Sequence, residues 1–142
     1  MTPGDLHAGL EVEPSAWIEI PQARIDAFAE ATDDRQSFHV DPAGAASGPF
    51  GTTVAHGYLT LALLPAASYQ LLPVEGTVIN YGLNRVRFPA PVPAGSRVRA
   101  SFRVDEVEQA GGGVQATMTA TVEREGGDRP VCVAEVIFRY LP

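Results

Sequence analysis

The chain has 142 residues, of which 45% are hydrophobic and 19% are charged, and its formal net charge is −7 at pH 7. This length is enough to bury a core without disulfides or metals, and the composition excludes an intrinsically disordered chain. The negative charge argues against general nucleic-acid binding, which requires a basic surface. We therefore expect one globular domain over residues 1–142 that does not bind nucleic acid.

The cysteine content and the apolar runs bear on the compartment. Cys132 is the only cysteine, so no disulfide can form within the chain, which is compatible with a reducing cytosol. The N-terminal stretch MTPGDLHAGLEVEP lacks the basic and apolar regions of a secretory signal. The longest apolar run, YLTLALLPAA, is too short to span a bilayer. We expect a cytoplasmic protein without a membrane segment.

The first elements in chain order are a short strand and a helix. The strand is predicted over residues 16–20, and the following Pro21 suits the first turn of a helix. Apolar side chains then recur at helical spacing, at Ile25, Phe28, Ala29 and Thr32. We expect this helix to end at or near Thr32.

Two further helices are predicted before the middle of the chain. Asp41 followed by Pro42 is typical of an N-cap and the first position of a short helix over residues 43–46. Residues 57–64 are apolar almost all round, and a helix of that kind belongs inside a protein. Pro65 must kink this helix or end its first segment, because proline cannot donate the helical hydrogen bond.

The second half of the chain is predicted to form strands. Four segments rich in Val, Phe, Thr and Tyr are bounded by glycine or proline, at residues 77–88, 96–108, 114–124 and 131–140. Glycine-rich stretches between them suit hairpin loops. Helices followed by antiparallel strands predict an α+β domain, in which an antiparallel sheet wraps around a long central apolar helix. Such a layer leaves a sheet edge and a helix flank open, which a second copy can cover.

Titratable side chains crowd into the stretch TDDRQSFHVD, residues 32–41, between the first helix and the apolar region. Together with the intact Ala-His-Gly at residues 55–57, this stretch resembles the MaoC-like dehydratase and (R)-specific enoyl-CoA hydratase family of hot-dog proteins. The family signature is roughly Asp-x-Asn-Pro-x-His-x-Asp, followed by Ala-His-Gly at the start of the central helix. Asp34 and His39 stand five apart, as the signature requires. The later stretch INYGLNRVRFPAPVPAGSRVRA resembles the nodulation-protein-N-like, single-domain branch.

The resemblance implies a single hot-dog domain, a homodimer or higher homo-oligomer, and no cofactor. It also implies the reversible hydration of a trans-2-enoyl thioester to a 3-hydroxyacyl thioester, carried by coenzyme A or an acyl carrier protein. Asp34 and His39 would hold and activate the water, because two groups that share one water fix its orientation and handle its protons. Gly57 would stabilise the thioester oxygen through a backbone N–H that has no partner within the helix.

The chain departs from the family pattern in two respects. Gln36 and Ser37 replace the usual Asn-Pro, and Gln36 is predicted to present its amide to the substrate on a longer arm. Some members carry a serine six residues after the histidine of His-Gly, where this chain has Ala62. His56 belongs to the substrate-site motif, and we interpret it as orienting the helix start rather than as an acid or base.

The other charged residues have simpler interpretations. Asp33 follows a helix end, where a left-handed residue is common, so it is interpreted as a terminator. Asp41 is interpreted as the N-cap. Arg85 and Arg87 share one face of a strand, and they either form the wet side of the sheet or contact the phosphates of the carrier. The sequence shows no set of metal ligands.

Two alternative functions remain open at this point. A hot-dog thioesterase would place a catalytic carboxylate on or near the central helix, but residues 57–69 contain no Asp or Glu. A non-catalytic acyl-thioester-binding protein would not need both Asp34 and His39, although Gln36 and Ala62 leave this alternative open.

Overall fold

The structure is a computed structural model that describes all 142 residues. Apart from one turn of 3-10 helix at Pro3–Asp5, its elements in chain order are β1 (Ile18–Ile20), α1 (Gln22–Thr32), α2 (Ser37–Val40), α3 (Pro42–Ala45), α4 (Gly57–Ala62), α5 (Leu64–Leu71), β2 (Thr77–Arg87), β3 (Ser96–Ala110), β4 (Gly113–Arg124) and β5 (Cys132–Leu141). None of these helices has the length and apolar character needed to cross a bilayer.

The five strands form one antiparallel sheet in the order β1-β3-β4-β5-β2. Along β3, β4 and β5 alternate side chains are buried, as the two-residue period of a strand requires. The register pairs Val104 with Met118 and Ala116 with Phe138, so these buried side chains lie on one face. The predicted strands and the α+β class are therefore confirmed.

The inner face of the sheet packs against α4 and α5. Leu59, Leu64 and Ala67 belong to the same buried cluster as the strand side chains. The central helix consists of two consecutive segments, because α4 ends at Ala62 and Pro65 occupies the first turn of α5. This break has the reason that the sequence indicates, since proline has no N–H to continue the helical ladder.

One expectation about the central helix needs correction. We expected residues 57–64 to be enclosed, but only one side is buried, and Tyr58 on the other side is 71% exposed. The sheet curls around the helix from one side, so a single chain does not cover the opposite flank. The edge strand β2 is open in the same way, with Ile79 40% and Leu83 43% exposed. These two surfaces are the open edge and flank that the layer arrangement predicts.

Two local predictions are confirmed between α1 and α3. Asp33 is the C-cap of α1 and has a φ of 62°, and it is the one non-glycine residue of the chain with a positive φ. Asp41 accepts a hydrogen bond from the backbone N–H of Gly44 at 3.1 Å, as an N-cap does. The helical turn α2 between them was not predicted, and it carries His39.

Candidate active site

His39 is buried with one ring nitrogen available. The residue is 6% exposed, and its Nδ1 lies 2.6 Å from the carbonyl oxygen of Val54. A carbonyl can only accept, so Nδ1 carries the proton and donates, which leaves the Nε2 lone pair free. Burial, assisted by the neighbouring His56, lowers the pKa of His39 below 6.5 and outweighs the Val54 hydrogen bond and the Asp34 charge, which raise it. The lowered pKa favours the neutral ring, whose Nε2 can accept a proton.

The backbone of His39 is held by Gln22, the first residue of α1. Gln22 Nε2 donates to the carbonyl oxygen of His39 at 2.7 Å and to Asp26 Oδ1 at 2.9 Å. Gln22 Oε1 accepts a hydrogen bond from the hydroxyl of Thr53 at 2.5 Å. These bonds tie α2 to α1 and to the segment before α4. The sequence analysis missed Gln22, because nothing in its neighbourhood indicates a contact 17 residues away.

His56 lies behind His39 and joins it to Asp34. The two imidazole rings are stacked, with centroids 3.8 Å apart and an angle of 21° between their planes. His56 Nε2 donates to the backbone carbonyl of Asp34 at 2.8 Å, and its Nδ1 is buried without a partner. The ring is 2% exposed and lies outside the lining of the nearby cavity. This placement favours the orienting role of His56 and does not support direct contact with a substrate.

The structure separates the two neighbouring carboxylates. Asp33 turns outward and its carboxylate binds Arg35 at 2.7 Å, while Arg35 also binds Glu30 at 2.8 Å. Asp34 instead belongs to a cluster with His39 and His56, whose possible ligand atoms all lie within 4.8 Å of one another. Asp34 and His39, five apart in sequence, are therefore brought together.

The same cluster raises the question of a metal ion, which the sequence did not. Its two available nitrogens belong to stacked rings. A metal lies about 2.0–2.1 Å from each imidazole nitrogen, along its lone pair and in the plane of the ring. The lone pairs of nearly parallel rings 3.8 Å apart do not converge on one point. The cluster is thus better suited to holding protons and water than to shared metal ligation.

His39 opens onto a cavity of about 510 Å³, and Gly57 lies in its wall. The remaining lining residues are mostly apolar: Phe38, Phe50, Val54, Ala55, Thr60, Phe88, Pro89, Ala90, Pro91, Val92, Arg129 and Val131. Gly57 is the first residue of α4, so its N–H has no partner within the helix. A Cβ at this position would lie 3.1 Å from ring carbons of Phe88. The close approach of Phe88 therefore explains the glycine.

The other predicted substrate contacts are scattered. Gln36 is the exposed N-cap residue of α2 and lies outside the cavity lining. Arg85 and Arg87 line a separate hollow of about 330 Å³ on the sheet, together with Thr119 and Glu135. The structure does not bring these residues to the cavity of His39 within a single chain.

The arginines divide into paired and unpaired groups. Arg97, Arg99 and Arg103 bind Glu125, Glu123 and Asp105, as on an ordinary wet face of a sheet. No ion pair involves Arg85, Arg87 or Arg129. Arg129 lies in the loop between β4 and β5 and lines the cavity of His39. The sequence analysis did not single it out, because only the fold brings this loop to the cavity.

Comparisons with known proteins agree with this geometry. A family model described as MaoC like domain matches residues 6–134. The chain is 57% identical over 137 residues to 3-hydroxyacyl-thioester dehydratase Z of Mycobacterium tuberculosis, covering 94% of this chain and 91% of that protein. It is 46% identical over 134 residues to nodulation protein N of Rhizobium leguminosarum bv. viciae, covering 91% and 83%.

A solved structure shows the same fold. The (R)-hydratase from A. caviae, described as involved in PHA biosynthesis, superposes with a TM-score of 0.82 at 28% identity, covering 97% of this chain and 98% of that chain. This match confirms the hot-dog arrangement of an antiparallel sheet around a central helix.

Proposed function

We propose that this chain, which belongs to the MaoC like domain family, is a hydro-lyase that reversibly hydrates trans-2-enoyl thioesters to (R)-3-hydroxyacyl thioesters. The observation that carries the proposal is the buried His39, which lines an apolar cavity, has its Nε2 available and lies in one cluster with the exposed carboxylate of Asp34. The hydro-lyase class is supported by relatives named as dehydratases and hydratases. The (R) product and the individual residue roles are proposals.

In the hydration direction, Asp34 and His39 hold one water against C3 of the enoyl chain. As the water oxygen bonds to C3, one O–H bond breaks and His39 Nε2 accepts the proton. The electron pair of the double bond moves to C2 and onto the thioester oxygen. A proton from the Asp34–His39 pair then forms the C2–H bond, and dehydration follows the same steps in reverse.

The thioester oxygen gains negative charge during this reaction and needs a donor. The N–H of Gly57 is suited to this role, because it has no partner within the helix and its residue lines the cavity. Because α4 has only six residues, its helix dipole is small, and we assign the stabilisation of the thioester oxygen to the hydrogen bond from this N–H.

The substrate carrier is proposed to be coenzyme A or an acyl carrier protein, both of which bring anionic groups. In a protein with a net charge of −7, such a carrier requires local positive charge. Arg129 at the cavity, and Arg85 and Arg87 on the neighbouring sheet surface, have no carboxylate partner and can provide this charge. We retain all three as candidate carrier contacts.

A direct assay tests the proposed reaction. Purified protein is given crotonyl-CoA and longer trans-2-enoyl-CoA substrates, while the conjugated thioester absorbance and free thiol are followed together. Loss of absorbance without thiol release, with a product that chiral analysis identifies as (R), supports the proposal. Thiol release would instead indicate a thioesterase, and no change with any chain length would indicate a binding protein.

Gln22 provides a prediction about the support of His39. Gln22→Ala removes the donor that holds the His39 carbonyl, so the ring loses part of its positioning. We expect kcat to fall about tenfold or more, because a small misplacement of a reacting group is costly. The control is Gln70→Ala, an exposed glutamine on α5, which should leave kcat unchanged. Equal kcat values for the two variants, with both folded, would contradict the positioning role.

We further propose a homodimer in which a second copy covers β2 and the open flank of α4. An edge strand of 11 residues exposes unpaired backbone groups, and an antiparallel strand can pair with its own copy across a two-fold axis. Tyr58 on α4 packs edge-on against Phe88, just beyond β2, with ring centroids 6.5 Å apart. Tyr58, Leu61 and Ala62 of α4 also line one hollow with Leu83 of β2, so the open edge and flank adjoin.

The dimer is tested by placing charge on that surface. Ile79→Lys combined with Leu83→Lys should convert a dimer of the 15.0 kDa chain to monomer, because unpaired lysines oppose edge pairing. Size-exclusion chromatography with light scattering measures the mass. Gln109→Lys, on an exposed part of β3, is the control and should stay dimeric. A monomeric parent protein at tens of micromolar would contradict the proposal.

Two broader expectations remain proposals. One domain over residues 1–142 is proposed to carry the activity. The cytoplasmic location is proposed from the single Cys132, which is buried and unpaired.

A further inference from the structure

Thr60 on α4 has an unpaired hydroxyl at the candidate active site. The residue is 2% exposed and lines the same cavity as His39 and Gly57. Helical threonines often donate to the carbonyl four residues earlier. That carbonyl, of His56, instead accepts the backbone N–H groups of Leu59 at 3.1 Å and Thr60 at 3.3 Å. The hydroxyl of Thr60 makes no hydrogen bond to this carbonyl or to any other group of the chain.

The hydroxyl is nevertheless accessible from the cavity. His56 Nδ1 is the one fully enclosed polar side-chain atom that lacks a partner. Since Thr60 Oγ1 also lacks a partner, it must retain contact with open space, and the space beside it is the cavity. A nearly buried hydroxyl without a hydrogen-bond partner destabilises the fold unless a ligand or a water molecule supplies the partner.

Thr60 lies on the same face of α4 as Gly57. Residues three apart share a helix face, and helical side chains lean toward the N-terminus. The side chain of Thr60 is therefore expected to lean over the turn that begins at Gly57. Both residues line the cavity of His39.

We propose that the Thr60 hydroxyl is a second hydrogen-bond donor to the thioester oxygen, beside the Gly57 N–H. This inference rests on the proposed hydration reaction. As charge moves from the double bond onto the oxygen, the hydroxyl donates a stronger hydrogen bond but keeps its proton. Thr60 would contact the substrate and thus be a catalytic residue.

Thr60 and Ala62 line different hollows, so Thr60 does not replace the serine that some family members carry at the position of Ala62. Ala62 lines a different hollow, between α4 and β2, with Tyr58, Leu61 and Leu83. A hydroxyl at position 62 would therefore face that hollow rather than the cavity of His39 in this chain. Thr60 is the hydroxyl-bearing residue of α4 that lines the cavity of His39.

The test compares variants that remove or retain the hydroxyl. Thr60→Val keeps the shape and removes the donor, Thr60→Ala removes it in a second way, and Thr60→Ser retains it. The control is Ser68→Ala, which removes the hydroxyl of a buried residue that donates within α5 to the Pro65 carbonyl at 2.7 Å. Each folded variant is assayed with crotonyl-CoA for kcat and KM, and the absorption spectrum of bound sorbyl-CoA is recorded. A donor at the thioester oxygen polarises this dienoyl thioester and shifts its absorption to longer wavelength.

We expect Thr60→Val and Thr60→Ala to lower kcat by about 10- to 100-fold with a smaller change in KM, because loss of one such donor acts mainly on the transition state. Both should reduce the spectral shift of bound sorbyl-CoA. Thr60→Ser and Ser68→Ala should keep the parent kcat and shift. A purely structural role would lower stability without changing the shift. Parent-like kcat and shift in either hydroxyl-free variant would overturn the proposal, whereas a parent protein that hydrates no enoyl thioester would instead refute the proposed function.

Discussion

Asp34→Asn should reduce kcat for enoyl-thioester hydration by about 10²–10⁴-fold, whereas Asp33→Asn should leave it close to the parent value. Asp34 lies in the cluster with His39, and the proposed mechanism assigns to its carboxylate the holding of the reacting water. Asparagine keeps the shape of the side chain, but its amide has one accepting oxygen in place of two and cannot take up a proton. Steady-state kinetics with crotonyl-CoA measures the difference.

Asp33 is a matched control because it is the adjacent carboxylate in a different environment. Its left-handed backbone, with φ of 62°, is tolerated by asparagine, so the end of α1 should be preserved. The variant loses an exposed ion pair with Arg35, and a pair of that kind contributes little to stability because water screens it. Strong inactivation by Asp33→Asn, or normal kcat in Asp34→Asn, would show that the wrong carboxylate has been assigned.

The features that the sequence predicted well are those determined by neighbouring residues. Asp33 follows a helix end and Asp41 precedes a proline, and each adopts the predicted capping role. The strands were predicted because alternation and bounding glycines are local signals. Pro65 divides the central helix because proline has no backbone N–H, which is a property of the residue itself.

The features that it missed depend on contacts between distant segments. Gln22 reaches His39 across 17 residues, and His56 reaches the carbonyl of Asp34 across 22. No local pattern distinguishes Gln22 from a surface residue, and the motif that indicated an orienting role for His56 did not indicate the distant carbonyl that it contacts. Arg129 lines the cavity because the β4–β5 loop lies beside it, which depends on the strand order.

The enclosure of α4 was misjudged because it depends on how far the sheet extends around the helix, which no local pattern shows. β2 lies at the open edge of the sheet, as the layer arrangement predicted, and carries exposed apolar side chains at Ile79 and Leu83. Both segments carry a composition suited to burial, which is why a second copy of the chain explains them better than solvent does.

His39→Asn should lower kcat by about 10²–10⁴-fold at neutral pH, because the variant has no basic nitrogen to accept the water proton. The asparagine amide can still donate to the Val54 carbonyl in place of Nδ1–H, so the fold should be retained. In the parent protein, burial lowers the pKa of His39 below 6.5, and the proposed mechanism requires the neutral form. In a plot of kcat/KM against pH, the midpoint of the acid limb should therefore lie below pH 6.5.

The same lowered pKa predicts how stability depends on pH. The unfolded chain takes up a proton at His39 near pH 6.5, while the folded protein does so only at lower pH. The contribution of neutral His39 is therefore fully present above pH 6.5 and is lost as the pH falls toward the folded pKa. Denaturant unfolding at about pH 7.5 and about pH 5.5 should show a larger loss of stability in the parent protein than in His39→Asn. An equal loss in both proteins, or an acid limb above pH 6.5, would contradict a neutral His39 as the base.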